Sequence, residues 1–246
     1  MPNARLLALA ALVPASVLAR GPRGEVVRLA LPRSVRVQLH AGGKTVRTAS
    51  GVVVASRGGA EERTWIMTNA HVVDTENIKG EVVFHILAEA PARDLTAHVV
   101  ARGSVPDFDL AVLEVKGAVL PAVDFASDAE ASVGDDVVVV GAPFGRSLSV
   151  AAGIVSQLEG EAMKTDAPIG YGTSGGGIFE VPSGKLIGVV EGYRTARVAF
   201  QGATESYGFD VPMPGETFAS PVAKIRRFMQ EKGLGHLLTN ETAAKL

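Results

Sequence analysis

Gly170-Tyr171-Gly172-Thr173-Ser174-Gly175-Gly176-Gly177 sets one serine hydroxyl in a run of eight residues, five of which are glycine. Glycine loses more conformational freedom on folding than any other residue, so so dense a cluster needs a reason. Linker composition is not that reason, because Leu186-Ile187-Gly188-Val189-Val190 just downstream reads as a buried strand. Chemistry offers another. A serine nucleophile needs backbone N–H groups aimed at the oxygen of a tetrahedral intermediate, and small residues let a substrate approach that backbone closely. Taken alone, the run reads as a tight turn before it reads as a nucleophile. The residues upstream decide between the two.

Composition narrows the field. The 246 residues can hold one large all-β or α/β domain, or two small ones. A hydrophobic share of 47% with 20% charged residues describes a packed globule. The net charge of −2 gives no electrostatic case for nucleic acid as a partner. Five scattered histidines, no cysteine and no His-Glu-x-x-His predict no metal site, and nothing in the chain calls for a cofactor.

The N-terminal stretch stands apart. Arg5 precedes Leu6-Leu7-Ala8-Leu9-Ala10-Ala11-Leu12-Val13, and Val17-Leu18-Ala19 offers a small-residue cleavage site. Residues 1–19 therefore read as a secretory signal peptide, with the mature chain as 20–246. The apolar run is too short and too proline-interrupted for a stable membrane span. Export without any cysteine points to a bacterial periplasm or exterior.

Beyond the leader the pattern is that of strands. Val35, Val37 and Leu39 alternate with Arg36, Gln38 and His40. Gly42-Gly43 and Gly58-Gly59 punctuate strands at Val46–Val54 and Trp65–Met67. Further candidates are 82–87, 95–101, 110–115, 137–140, 149–158, 177–181, 186–191 and 207–211. Short strands at this spacing predict barrels or sandwiches. One helix is expected at about 220–232, capped by Ser220, with Pro221 in its first turn and Gly233 at its end. The fold class is all-β with a C-terminal α-helix.

A serine hydroxyl is a weak nucleophile until a histidine takes its proton and a carboxylate holds that histidine's tautomer. His71 stands where the apolar Trp65-Ile66-Met67 gives way to a turn. Asp107 and Asp109 stand where a polar segment enters the apolar Leu110-Ala111-Val112-Leu113, on one strand face, so spacing does not choose between them. The order His, Asp, Ser is one of the few chain orders known for the triad. The glycine-flanked serine also fits a Gly-x-Ser-x-Gly elbow, with Asp210 and His236 following in the order of α/β-hydrolases. That elbow must open a helix, and the glycines after Ser174 with Pro182 beyond them do not allow one.

Seven stretches in register carry a more specific resemblance. They are Thr68-Asn69-Ala70-His71-Val72-Val73, Asp109-Leu110-Ala111-Val112-Leu113, Val133-Gly134-Asp135, Gly141-Ala142-Pro143-Phe144-Gly145 and Ala152-Gly153-Ile154-Val155-Ser156. Thr165-Asp166-Ala167 with Gly172-Thr173-Ser174-Gly175-Gly176, and Tyr207-Gly208-Phe209-Asp210-Val211-Pro212, complete the set. Over about residues 45–230 the chain resembles trypsin-like serine proteases, most closely the protease domain of the HtrA/DegP group.

The resemblance implies two six-stranded antiparallel β-barrels, about 30–120 and 121–215, with a site in the cleft between them. It implies Ser174 as nucleophile, His71 as general base and then acid, Asp109 as the orienting carboxylate, and the N–H groups of Gly172 and Ser174 as oxyanion hole. The activity implied is endopeptidase cleavage of extended or unfolded polypeptides. Val190, Glu191 and Gly192 would pair with the substrate main chain. Ile169, with Glu191, Gly192 and Tyr193, would line a pocket for Val, Ala, Leu or Ile, since no acid stands at its base to neutralise a cation.

Several departures from the group bear on this reading. Thr173 precedes the serine where the group usually has Asn, Tyr171 and Gly177 stand where proline is common, and Gly177 is expected to loosen the turn. The chain ends soon after its helix, so the PDZ module typical of the group is not expected. The competing reading is an inactive trypsin-like fold that binds peptides or proteins.

Overall fold

The computed structural model describes residues 21–128, 130–181, 183–201 and 206–238. The expected signal peptide and its cleavage point before Arg20 lie outside the described residues.

Among the described residues the strands close two six-stranded antiparallel barrels. The first comprises β1 (Ser34–Ala41), β2 (Lys44–Arg57), β3 (Arg63–Thr68), β4 (Val82–Glu89), β5 (Ala92–Arg102) and β6 (Ala111–Lys116). They neighbour one another in the order β1-β2-β3-β6-β5-β4. The second comprises β7 (Asp136–Gly141), β8 (Ser149–Glu159), β9 (Ala162–Thr165), β10 (Gly177–Glu180), β11 (Leu186–Gln201) and β12 (Ser206–Pro221), in the order β10-β11-β12-β9-β8-β7. Helix α1 (Pro22–Ala30) precedes the first barrel and helix α2 (Val222–Glu231) follows the second.

Side-chain parity explains why these strands read as continuous apolar runs. On β2, Ala49 and Val53 fill the first barrel with Val35, Val37 and Ile66. Val52 and Val54, on the opposite face, join Val138 and Val140 of β7 and Phe179 and Val189 of the second barrel in a cluster between the barrels. Val137 and Val139 of β7 point the other way, into the second barrel with Met163, Ile178 and Ile187. A strand whose two faces enter two different cores has no polar side to show, so alternation disappears from its sequence.

The helices seal this central cluster. Val26 and Ala30 of α1 and Ile225, Phe228 and Met229 of α2 all enter it, and the Phe228 ring lies 5.6 Å from that of Phe108. Two features of α2 differ from expectation. Ser220 does not cap it, because Ser220 belongs to β12 and its hydroxyl donates to the Glu191 carboxylate; Pro221 is the N-cap, with φ −69°. Gly233, at φ +71°, does follow the helix end as read.

Two elements escape the strand pattern. α1 begins at Pro22, two residues past the mature start expected at Arg20, and β9 is only four residues long. The extent of β11 and β12 is also greater than read. Both run past the barrel as a two-stranded ribbon, and Tyr207–Pro212 lies on that ribbon, paired with Thr195–Phe200. The segment that closes the second barrel against β9 is Thr217–Ala219, so the barrel continues beyond 215 to Pro221.

Phe228 tests the role assigned to α2. Phe228→Ala removes a side chain with no solvent exposure and should cost about 3–5 kcal/mol. Urea unfolding measures it; a loss below about 1 kcal/mol would mean that α2 is not part of the core.

Candidate active site

The glycines around Ser174 are demanded by backbone conformation and by space. Gly172 and Gly175 have φ of +93° and +84°, left-handed values that other residues adopt only with strain. A Cβ on Gly175 would lie 2.2 Å from the Ser50 carbonyl oxygen and 2.4 Å from Thr68 Oγ1. One on Gly172 would lie 2.8 Å from the Ala142 carbonyl oxygen. Gly177, expected to loosen the turn, lies just past it. It opens β10, pairs with Val189 and Val140, and a Cβ there would press on the Phe179 ring at 2.7 Å.

Ser50, fully buried on β2, joins this turn to the first barrel. Its N–H donates to the Ser174 carbonyl at 2.8 Å. Its hydroxyl donates to the Gly172 carbonyl and accepts from the Ala142 N–H, both at 2.8 Å. Its own carbonyl accepts from Thr68 Oγ1 at 2.8 Å. Thr68 stands three residues before His71, so one buried serine connects the turn carrying Ser174 to the segment carrying His71.

Asp109 holds His71 twice. Its Oδ2 lies 2.7 Å from His71 Nδ1, and its Oδ1 accepts the His71 N–H at 3.0 Å. The main chain at Asp109 is held in turn by Asn69, whose Nδ2 donates to the Asp109 backbone carbonyl at 2.8 Å. The Asp109 side chain is 14% exposed and the His71 ring 45% exposed, so the carboxylate is enclosed while the imidazole reaches solvent. Asp107 is exposed and makes no such contact with His71. Arg47 clamps the turn after the histidine: its guanidinium donates to the carbonyls of His71, Val72 and Asp74. The N–H of Glu76, with Arg102 beside it, holds the Asp74 carboxyl below its usual range.

The peptide groups before Ser174 are oriented from behind. Phe144 N–H donates to the Tyr171 carbonyl at 2.6 Å, and Ser50 Oγ holds the Gly172 carbonyl. In a trans peptide the N–H points opposite the C=O, so the Gly172 N–H is turned away from Phe144. Among the described residues neither the Gly172 nor the Ser174 N–H has a protein acceptor. Phe144 takes φ +57° at this point, a strain of order 1–3 kcal/mol for a non-glycine residue. The Ser174 hydroxyl donates to the Glu191 carbonyl at 3.3 Å and makes no hydrogen bond to His71.

The expected substrate-contacting residues separate into two groups. Val190 has no main-chain group to offer. Its N–H donates to the Gly176 carbonyl and its carbonyl accepts the Gly175 N–H, so both stabilise the nucleophile turn. Open main chain begins at Glu191. The Glu191 carboxylate accepts from Ser220 Oγ and from Lys224 Nζ at 3.2 Å. Gly192 and Tyr193 pair on one side only, with Phe218 and Thr217 of β12. Ile169 packs against the core of the second barrel and lines a depression with Val139, Pro143 and Ala151. Among the described residues no group of three or more His, Asp or Glu side chains could hold a metal ion, and no helix is long and apolar enough to cross a membrane.

Ser50, Arg47 and the backbone of Phe144 escaped the sequence reading. Ser50 left one trace, a hydroxyl beside the apolar run Gly51-Val52-Val53-Val54. Arg47 left none, because a surface arginine that grips carbonyls looks like any other.

The chain matches the trypsin-like peptidase domain family over residues 49–189. It is 33% identical, over 175 residues, to a probable periplasmic serine endoprotease DegP-like from Hahella chejuensis, covering 68% of this chain and 34% of that relative. It is 32% identical, over 180 residues, to the periplasmic serine endoprotease DegP of Salmonella typhimurium, covering 69% of this chain and 34% of that relative. The chain thus spans about a third of the length of these relatives. The crystal structure of the serine endoprotease from Yersinia pestis superimposes with a TM-score of 0.67 at 23% identity, over 91% of this chain and 69% of that one, a likeness of fold.

Ser50→Ala strands the Gly172 carbonyl and the Ala142 N–H without partners. At about 1–3 kcal/mol for each buried group left unpaired, the variant should lose roughly 2–6 kcal/mol in urea unfolding. A loss under about 0.5 kcal/mol would show that the bridge between turn and barrel does not depend on this hydroxyl.

Proposed function

The chain belongs to the trypsin-like peptidase family, and on that basis we propose that it is a serine endopeptidase that cleaves extended or unfolded polypeptides through His71, Asp109 and Ser174. The observation that carries the proposal is the two-point grip of Asp109 on His71, in a segment joined through Ser50 to a serine whose neighbouring N–H groups have no protein acceptor among the described residues. Ser174 Oγ attacks the scissile carbonyl carbon while His71 Nε2 takes its proton. Asp109 keeps the other ring proton on Nδ1 and stabilises the imidazolium. The oxyanion is met by the N–H groups of Gly172 and Ser174. Collapse of the tetrahedral intermediate breaks the C–N bond, and His71 returns the proton to the departing amine. Water, deprotonated by His71, then hydrolyses the acyl-enzyme and restores the serine.

One observation favours the competing reading of an inactive peptide-binding fold: the Ser174 hydroxyl bonds to Glu191 and not to His71. Catalytic hydrogen bonds often tighten only when substrate is bound, and a rotation about one serine torsion releases the bond to Glu191. The relatives named periplasmic and the leader-like start support a periplasmic site of action.

For specificity, the proposed pocket takes small and medium aliphatic residues before the scissile bond. Glu191, the nearest carboxylate expected for the pocket, is already engaged by Lys224 and Ser220. A substrate lysine or arginine would have to displace Lys224 to reach it.

A fluorophosphonate probe should label the protein at Ser174 and leave Ser174→Ala unlabelled. Asp109→Asn should lower kcat/KM by about 10⁴-fold, whereas Asp107→Asn should stay within about threefold of the native value. A folded native protein that resists the probe would refute the endopeptidase reading. Cleavage-site profiling on a denatured proteome should return Val, Ala, Leu and Ile before the cut, in graded preference. A Lys/Arg signature abolished by Glu191→Gln would overturn the pocket assignment.

A further inference from the structure

The ribbon formed by β11 and β12 beyond the barrel is amphipathic in a regular way. Its pairs alternate between Ala196–Val211, Val198–Phe209 and Phe200–Tyr207 on one face, and Thr195–Pro212, Arg197–Asp210 and Ala199–Gly208 on the other. The first face is apolar throughout, and its aromatic residues are exposed: Phe200 by 58%, Phe209 by 55% and Tyr207 by 64%. Phe200 and Phe209 stack on each other, with ring centroids 6.0 Å apart. The second face carries an ion pair between Arg197 and Asp210. A contiguous apolar surface of this kind marks a site of interaction.

The two edges of the ribbon differ. The outer edge of β12 carries Pro212 and Pro214, which have no N–H to donate and discourage strand addition. The outer edge of β11 is proline-free from Glu191 to Gln201. β10 pairs with β11 no further than Val189, so past Val190 that edge has no strand beside it among the described residues. It begins at Glu191, whose carbonyl accepts the Ser174 hydroxyl. One strand edge therefore leads from the nucleophile out along the apolar ribbon.

We propose that the β11 edge and the apolar face of the ribbon form an extended subsite for the polypeptide substrate, taking an apolar segment upstream of the scissile bond as an added antiparallel strand. The inference rests on the hydrolysis assigned to Ser174, because the position of the scissile bond sets which part of the substrate reaches the ribbon. A chain paired antiparallel to β11 with its scissile bond at Ser174 runs toward its own N-terminus as β11 runs away from the site. At one substrate residue per strand residue, Thr195 to Gln201 meet positions roughly five to eleven residues upstream of the cut. Main-chain pairing supplies affinity for any extended chain, and the apolar face selects segments that are buried in folded proteins. The ribbon thus favours unfolded polypeptides over short peptides.

The test separates this subsite from the nucleophile. Binding of reduced, carboxymethylated α-lactalbumin, a permanently unfolded chain, is measured by fluorescence anisotropy with Ser174→Ala protein, where no turnover occurs. Adding Phe200→Ser and Phe209→Ser should weaken it at least tenfold. In protein with Ser174 intact, the same two substitutions should change hydrolysis of a four-residue peptide, which ends short of the ribbon, by less than twofold. With sixteen-residue peptides sharing one cleavage site, an apolar block placed upstream should lower KM about tenfold, and one placed downstream should not. Unchanged α-lactalbumin binding, or equal effects of the two blocks, overturns the proposal. A wild-type dimer in sedimentation that the substitutions dissociate, with polypeptide binding unaffected, also overturns it, since the face would then be covered by a second copy. Absence of fluorophosphonate labelling with ribbon-dependent binding retained would refute the hydrolysis and leave the binding face standing.

Discussion

The site depends on one buried hydroxyl-bearing residue that belongs to neither the nucleophile turn nor the histidine segment. Ser50 directs its N–H, its hydroxyl and its carbonyl to four partners, three of them across the junction of the barrels. In a low-dielectric interior each of these groups is expensive to leave unpaired. The second barrel is therefore held in the one register that satisfies all of them. That register pins the carbonyls of Gly172 and Ser174 from behind, while the Phe144 N–H on the Tyr171 carbonyl separately turns the Gly172 N–H away from Phe144. The glycines follow from the same closeness. Gly175 lies against the Ser50 carbonyl, where no side chain fits.

Packing extends the constraint outward. Alternate residues of β2 and β7 enter separate cores, so each of these strands is held from both sides. Neither barrel can shift against the other without opening the cluster of Val52, Val54, Val138 and Val140. α1 and α2 close that cluster from outside, and the Lys224–Glu191 pair fastens α2 to the strand that borders Ser174. The side chains that hold the site are thus rigid well beyond the residues that touch a substrate, which is what electrostatic stabilisation of a transition state requires.

Much of this was legible in the residues, and the gaps have physical causes. Val35, Val37 and Leu39 announced β1 by alternation, and the Asp109–Ala111–Leu113 neighbourhood announced an aspartate entering a buried strand. β9 was invisible because Ala162–Thr165 is too short for any period to repeat. α1 is nine residues long, too short for a helical period to stand out beside the apolar run at Leu6-Leu7-Ala8-Leu9. The capping role read for Ser220 failed because its hydroxyl had a stronger acceptor, the Glu191 carboxylate, on a strand 29 residues away in sequence. Tyr207–Pro212 looked like a closing barrel strand since its alternation is real, but the face it presents is turned outward on the ribbon. Ser50 and Arg47 belong to a third class: their side chains bond to main-chain carbonyls and an amide, which no side-chain pattern can encode.

The span of the Ser50 contacts has a consequence for the order in which the molecule comes to exist. Ser50 and Gly172 are separated by 122 positions along the chain, and contacts of such separation form late, after the loop entropy between them has been overcome. The first barrel, made of nearer neighbours, can assemble while the second is still being synthesised. During that interval His71 and Asp109 can already be paired, yet nothing holds a Ser174 turn against them. On the proposed mechanism a half-made chain is inert toward its surroundings and toward its own unfolded remainder, and the topology itself delays the hazard that a nascent protease would pose until the second barrel is complete.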